Sequence, residues 1–462
     1  MKLKLALLLA VAVTASAVGQ VSPAARRQSL AINHVTVIDV SGTSPMPDMT
    51  VVVSGDRIVG LGKAGRVRVP TNAQVIDGTG KFLIPGLWDM HVHLSLATEL
   101  AIPALIANGV TGVREMGGDT DQVDGWRKRI AGGEMLGPRI IRAGPMVDGP
   151  KPDARYRLTV TNATEARQAV TALKRRGVDF IKIHNAIPRD AYFALVEEAR
   201  RRQIPVVGHV PRDVTPAEAS DAGQRGLEHT ESLFDNILLS ASQRGESAAD
   251  GLKQAFAAYH GDLAIQLFQR FRRNRTWVDP VLVTYRSFAF RSDYAANPDS
   301  RNRYVAASAR RLWDKFQPVN RNLPAETIAL RKAVFQKFIE LVGVMRRERV
   351  NLLAGTDAGG IRDVIPGFSL HDELLLLVQA GLTPLEALQA ATRNPATMLG
   401  MSQSLGTVAE GRLADLVLLD ANPLENIENT QKIAAVVVNG RYVPKEELHA
   451  MLAAVEATAN DR

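Results

Sequence analysis

Across residues 85–403, short apolar runs alternate with amphipathic stretches of helical period, and this alternation restricts the possible folds more than any other feature of the chain. The strand candidates are Leu87 to Leu94, Thr111 to Met116, Arg139 to Ala143, Asp179 to Asn185, Pro205 to Val210, Leu227 to Thr230, Thr276 to Val283 and Asn351 to Thr356. The clearest helices between them cover 162–176, 189–202 and 325–349. Strands separated by helices pair in parallel. Eight such units predict an α/β fold, a closed (β/α)8 TIM barrel. Residues 234–275 and 287–324 exceed an ordinary loop and carry helical patterning, which predicts insertions that cap the barrel mouth.

The flanks follow a different period. Val35 to Val40, Thr50 to Val53 and Arg57 to Leu61 read as strands in hairpins, the last two joined by a Ser54-Gly55-Asp56 turn. Near the other end Asp415 to Asp420 and Ile433 to Val438 repeat the signal, the second closing on the hairpin dipeptide Asn439-Gly440. A basic start with Lys2 and Lys4, an apolar run from Leu5 to Val13 and the small residues Thr14-Ala-Ser-Ala17 form a secretory signal peptide over 1–17, cleaved after Ala17. That run is too short for a membrane span, so a periplasmic or secreted protein without a membrane anchor is expected. A Ser/Pro/Ala/Arg linker follows over 18–28.

Of the 462 residues none is cysteine, which excludes disulfides and thiolate metal sites. Any bound metal must rest on nitrogen and oxygen ligands. The net charge of +8 includes Lys2 and Lys4 of the signal and is otherwise spread along the chain, so no nucleic-acid partner is expected. Its densest cluster, Arg270 to Arg275, adjoins a helical pattern and is assigned to solvent or a substrate entrance.

Several polar residues interrupt the strand candidates at their C-terminal ends, where barrel chemistry is found. His91 and His93 sit two apart on the first strand and share one face. Alone, such a pair is more readily read as two satisfied core histidines. Lys182 lies in the apolar run Phe180-Ile-Lys-Ile183, which would point an ammonium inward. It must either pair with a buried carboxylate or react with CO2 to become a carbamate, an anion able to bridge two cations. His209 and His229 end two successive strands, and Asp357 ends the eighth, where a carboxylate can ligate a metal and accept the proton of an attacking water. Chance does not readily put all of these at strand ends in a chain with nine histidines.

This set, His-x-His, a strand-four lysine, two later histidines and a strand-eight aspartate, resembles the amidohydrolase superfamily in its binuclear, carboxylated-lysine form, and within it the imidazolonepropionase-like and Xaa-Pro dipeptidase-like branch. The resemblance spans essentially the whole mature chain and includes Ile76-Asp-Gly-Thr-Gly80, Asn394-Pro-Ala-Thr397 and Gly411-Arg-Leu-Ala-Asp-Leu416. It implies a small β-sandwich assembled from residues 29–84 and 404–446 around a barrel at 85–403, with a C-terminal helix or tail at 447–462. It further implies that His91, His93 and Asp357 hold the more buried of two divalent metal ions and His209 and His229 the more exposed, with the Lys182 carbamate between them. Zinc suits such ligands, and manganese, cobalt or iron also satisfy them. A water between the metals would be acidified and act as the bridging hydroxide, one metal would polarise the scissile carbonyl, and Asp357 would carry the proton to the leaving nitrogen.

Tyr285 resembles a family position whose phenol touches substrate, although a core or rim tyrosine fits equally. His184, on the face of Lys182, and His371, at the start of the helix after strand eight, are candidate substrate contacts; for His371 a capping or surface position is the simpler alternative. Arg114 and Glu115 on strand two read as partners behind the ligands or, more simply, as members of a salt bridge inside the barrel. The expected activity is hydrolysis of a C–N bond in a small-molecule amide or dipeptide. An ester, lactone or phosphotriester hydrolase on the same centre is the alternative. A ligand-binding scaffold on an inactivated fold would lack some ligands, and a mononuclear deaminase would have no use for Lys182. A homo-oligomer is compatible with the sequence.

Overall fold

The computed structural model describes residues 29–42, 44–150, 156–233, 261–319 and 323–460. The expected signal peptide at 1–17, the linker at 18–28 and most of the insertion from 234 lie outside the described residues.

The N-terminal flank contributes strands β1 (Leu30–Val37), β2 (Met46–Ser54), β3 (Arg57–Lys63), β4 (Gln74–Asp77) and β5 (Phe82–Pro85). Ten parallel segments follow: β6 (Leu87–Val92), β7 (Val110–Glu115), β8 (Arg139–Arg142), β9 (Met146–Asp148), β10 (Arg157–Thr159), β11 (Ile181–Ile183), β12 (Val206–Gly208), β13 (Gly226–Glu228), β14 (Trp277–Asp279) and β15 (Asn351–Leu352). The C-terminal flank adds β16 (Leu416–Leu419), β17 (Ile433–Val438) and β18 (Arg441–Pro444). The two flanks share one sheet, in the order β18-β17-β16-β5-β1-β2-β3 with β4 also on β1. Its apolar face is the separate small core of Ile32, Val35, Val51, Leu83, Leu416 and Val437.

The parallel segments pair as β6-β7-β8 and as β10-β9-β11-β12-β13-β14-β15, in chain order except that β10 lies at the edge beside β9. The Asp179 N–H donates to the Arg142 carbonyl at 2.9 Å, carrying the ladder from β8 toward β11. Beyond β15 the chain bonds back to the first strand: Met90 N donates to Ala354 O at 3.0 Å and Asp357 N to His91 O at 2.7 Å. Burial follows from this arrangement. Strands with helices on one side and a filled interior on the other are buried on both faces, as in β6 and β11, where every residue is buried.

Each expected strand run supplies a segment, with two departures. The run expected over Thr276 to Val283 ends at Asp279, because Pro280 offers no N–H to a ladder, Val281 turns left-handed at φ 51° and Leu282–Ala289 is helical. The eighth strand is short: Asn351 and Leu352 pair with β14, Leu353 N still donates to Val278 O at 2.9 Å, and from Ala354 onward the chain accepts from and donates to β6.

The helices form where the period predicts them. Ala163–Arg175 buries Ala166, Ala169, Val170 and Leu173, one stripe of a 3.6-residue repeat, and Asn162 caps it by accepting from the Glu165 N–H at 3.0 Å. Arg189–Arg201 and Ala325–Arg347 likewise match their expected spans. Arg270 to Arg273 lie on the helix Asp262–Asn274, where Ala264, Phe268 and Phe271 turn inward.

Trp88, Met90, Phe180, Val207, Trp277 and Leu353 fill the interior toward the N-terminal ends of the strands, so polar side chains at the other end rest on a packed floor. Gly208 shows how tightly the strand ends are set. Its φ is +131°, and a Cβ there would lie 2.2 Å from the Ile183 carbonyl oxygen. Gly208→Ala is therefore expected to lower the stability measured by chemical denaturation by roughly 2 kcal/mol or more, combining strain in a conformation closed to L side chains with a backbone clash.

Candidate metal centre

The six expected ligands gather toward the C-terminal side of the parallel strands. His91 is the fifth residue of β6 and His93 follows it, Lys182 is the middle of β11, His209 and His229 are the first residues after β12 and β13, and Asp357 follows the segment bonded to His91. Every one is buried. His229 and Asp357 hold φ values of 69° and 63°, a conformation rare for residues with a side chain and one that functional sites retain when their surroundings fix it.

Asp357 is the hub. Its Oδ1 lies 3.2 Å from His93 Nε2 and 3.6 Å from His91 Nε2, and its Oδ2 lies 3.8 Å from His229 Nε2. Lys182 Nζ is 3.4 Å from His91 Nε2. The His91 and His229 rings are 4.7 Å apart, as are those of His209 and His229. Side chains far apart in sequence thus meet at one point.

The electrostatics of this point are dominated by loss of water. Burial, and then the Lys182 and His229 charges, push His91 well below the ordinary imidazole range, and burial brings His229 down to about 4. Both are neutral near pH 7, the form that ligates metal. Burial also brings the Lys182 ammonium down to about 8. For His93 burial acts downward but the hydrogen bond and charge of Asp357 outweigh it, and its proton is held more tightly. For Asp357 burial acts upward and is overcome by the His93 hydrogen bond and the His229 and His93 charges, which lower its carboxyl.

Behind the ligands lies a layer that orients them. His91 Nδ1 faces Glu228 Oε2 at 3.2 Å and His93 Nδ1 faces the Gly117 carbonyl at 3.0 Å. For His91 an acceptor at Nδ1 selects the tautomer whose Nε2 carries a lone pair, whereas His93 Nε2 is the nitrogen hydrogen-bonded to Asp357. Glu228 accepts from Arg114 through both oxygens at 2.8 Å, and Arg114 also reaches Asp279 at 3.5 Å. Asp279 is fully buried, and burial followed by the Glu228 charge raises its carboxyl well above the usual range. Asp89 accepts from Thr356 Oγ1 at 2.6 Å, Thr356 N at 3.0 Å and His91 N at 3.2 Å, fastening the approach to Asp357 onto β6.

Other sequence candidates fall nearer or farther. His184 stacks on His209 with ring centroids 4.2 Å apart, at the edge of the centre. Tyr285 stands edge-on to His229 at 6.5 Å, and its oxygen accepts from the Glu231 N–H at 3.2 Å. His371 is not brought to the site: on the buried face of the helix Phe368–Gln379, its Nδ1 pairs with Thr430 Oγ1 at 2.9 Å and its Nε2 with the Asn108 carbonyl at 3.1 Å. Arg114 joins an interior salt bridge as expected. Glu115 does not: successive strand residues point to opposite faces, and Glu115 accepts from the Leu94 and Gly117 backbone instead. Sequence reasoning passed over Glu228, Asp279 and Asp89. Their signal is a carboxylate set in an otherwise apolar strand, and in Trp88-Asp-Met-His91 it even shares the face of the histidine.

The donor set fits a metal centre. Ligand atoms of His91, His93 and Asp357 all lie within 4.8 Å of one another, with oriented imidazoles and a carboxylate. Lys182 has His91 Nε2 as its hydrogen-bonding contact among the described residues and feels the Glu228 and Asp357 charges.

The chain matches the model of the amidohydrolase family over residues 82–275 and 282–443. It is 26% identical over 406 residues to the imidazolonepropionase of Idiomarina loihiensis, covering 84% of this chain and 89% of that one. Among solved structures, bottromycin amidohydrolase superposes with a TM-score of 0.77 at 24% identity, covering 94% of this chain and 91% of that one. A Xaa-Pro dipeptidase solved with methionine in its active site gives 0.67 at 19%, with 90% and 100% covered.

Glu228→Ala should lower stability by roughly 3–5 kcal/mol in denaturation experiments, since it leaves the Arg114 guanidinium buried without its main partner. Glu228→Gln, which keeps the volume, should fold better yet bind metal about 10- to 100-fold more weakly in competition with a chromogenic chelator.

Proposed function

The chain belongs to the amidohydrolase family, and with it to the hydrolases of carbon–nitrogen bonds; from that premise we propose that it is an exported, binuclear metal enzyme cleaving an amide or dipeptide bond in a small molecule. The observation that carries this reading is the meeting of His91, His93, Lys182, His209, His229 and Asp357 at one end of the parallel strands. We read those strands, with the bonds from 354–357 back to β6, as a closed (β/α)8 barrel over 85–403, and the sheet of 29–84 and 404–446 as part of a small sandwich beside it.

His91, His93 and Asp357 would hold one divalent cation, zinc by preference, and His209 and His229 the other, with Lys182 as a CO2-derived carbamate between them. When bound, the cations supply Lewis acidity, lowering the pKa of water and polarising a carbonyl. The chain supplies the rest. Asp357, its carboxyl kept ionised by the surrounding imidazoles, accepts the proton of the attacking water and delivers it to the leaving nitrogen. Tyr285, its oxygen fixed by the Glu231 N–H, donates to the oxygen on which charge develops or to a substrate carboxylate. His184, stacked on His209, lies where a substrate can touch it. Among the described residues no helix is long and apolar enough to cross a membrane.

Metal analysis after growth with zinc and bicarbonate should give close to two metals per chain and, for Lys182→Ala, loss of one metal or of activity on a dipeptide panel. A Lys182→Ala protein with unchanged metal content and turnover would refute the bridging role, and hydrolysis of aryl esters or lactones but no amide would move the assignment to the ester-cleaving alternative. N-terminal sequencing of protein recovered from the periplasm or medium should begin at Val18. An intact Met1 in that fraction would refute cleavage.

A further inference from the structure

Beside the metal centre is a cavity of about 180 Å³ lined by Leu96, Met146, Tyr156, Leu312, Trp313 and Phe316, together with Arg157, Gln317 and the glycines Gly117, Gly359 and Gly360. The glycines join it to the centre. The Gly117 carbonyl is the acceptor of His93 Nδ1 at 3.0 Å, and a Cβ on Gly360 would stand 3.0 Å from Asp357 Oδ1 and 3.2 Å from His93 Cδ2. A group in this cavity is therefore only a few bonds from an amide held at Asp357.

The charges in its wall are already satisfied. Arg157 is bound to Asp148 Oδ2 at 2.6 Å, and Gln317 donates to Gly360 O at 2.6 Å and accepts from Arg291 at 3.1 Å. Leu96, Met146, Leu312, Trp313 and Phe316 offer an occupant apolar and aromatic contacts beside the polar Tyr156, Arg157 and Gln317 and the glycine backbone, and the indole Nε1 of buried Trp313 has no hydrogen-bond partner among the described residues. Phe316 is 50% exposed at the rim, with the Lys315 ammonium over its ring at 5.1 Å. A buried cavity of about 150 Å³ with apolar walls is known to take benzene, so the volume here suits one six-membered ring.

We propose that this cavity is a specificity pocket for a neutral single-ring aromatic group on one side of the scissile amide, so that the preferred substrates are aryl- or benzyl-bearing amides and dipeptides. The proposal rests on the hydrolase reading for its catalytic half and on the cavity alone for its binding half. Burying a phenyl ring contributes roughly ten- to a hundred-fold in binding or kcat/KM over a methyl group in its place.

The test has two arms. Ligand-observed NMR with benzamide and acetamide is run on metal-free and zinc-loaded wild type and on Leu312→Trp, a substitution on the partly exposed helix Ala307–Phe316 that fills the cavity. Benzamide should bind wild type at least ten-fold more tightly than acetamide in both metal states, and Leu312→Trp should remove most of that preference. The second arm measures kcat/KM for N-benzoyl and N-acetyl derivatives of one amino acid. The benzoyl-to-acetyl ratio should exceed ten in wild type and fall by ten-fold or more in Leu312→Trp and several-fold in Phe316→Ala, where circular dichroism reports the fold. Equal binding of the two amides, or a preference untouched by Leu312→Trp, overturns the pocket. Selective benzamide binding without turnover of any amide leaves the pocket standing and overturns the hydrolase reading instead.

Discussion

One guanidinium underlies the whole polar end of this protein. Arg114 is buried beneath the candidate ligands, with 1% of its surface exposed. Its bonds to Glu228 and Asp279 let two carboxylates stay in a closed interior, and Glu228 in turn fixes the ring of His91. Without that cation, Glu228 would be a buried carboxylate lacking its main partner, and the orientation of the His91 ring would rest on it. The energetic logic runs upward from the packed floor: apolar side chains exclude water, exclusion makes every charge expensive, and the expense forces the charges into a single mutually satisfied set.

The ligand layer inherits that order. Its members arrive from different strands, and each strand end is fixed by something other than the ligand itself. Asp89 and Thr356 settle where Asp357 begins, Gly208 lets β12 approach β11 closely enough to present His209, and the left-handed turns at His229 and Asp357 redirect the chain just as the strands finish. Such conformations cost on the order of 1–3 kcal/mol each and persist where the surroundings leave no alternative.

Much of this was legible in the sequence because it rests on period and on residues out of place. Alternating strand and helix patterns located all eight runs, and a lysine or histidine in an apolar run is conspicuous where water is absent. What periodicity could not give was the exact end of a strand, as at Pro280, where a single missing N–H converts the expected strand into helix. Nor could it give the reach of long side chains. Arg114 crosses to partners more than a hundred residues away, and nothing local marks Glu228 rather than Glu115 as its acceptor. His371 illustrates the opposite error: a histidine after the last strand suggests the site, yet its helix turns it toward Thr430 and Asn108.

The sheet shared by the two chain ends has a kinetic meaning. β5 runs directly into the first parallel strand and is paired on one side by β1 and on the other by β16, which is synthesised more than three hundred residues later. Until that late segment arrives, one edge of β5 presents unpaired backbone groups and the apolar side chains of Leu83 and Ile84 lack their cover. Closure of the flank is thus a long-range event that must come near the end of folding, and it makes arrival of the final residues the step that seals the earliest ones.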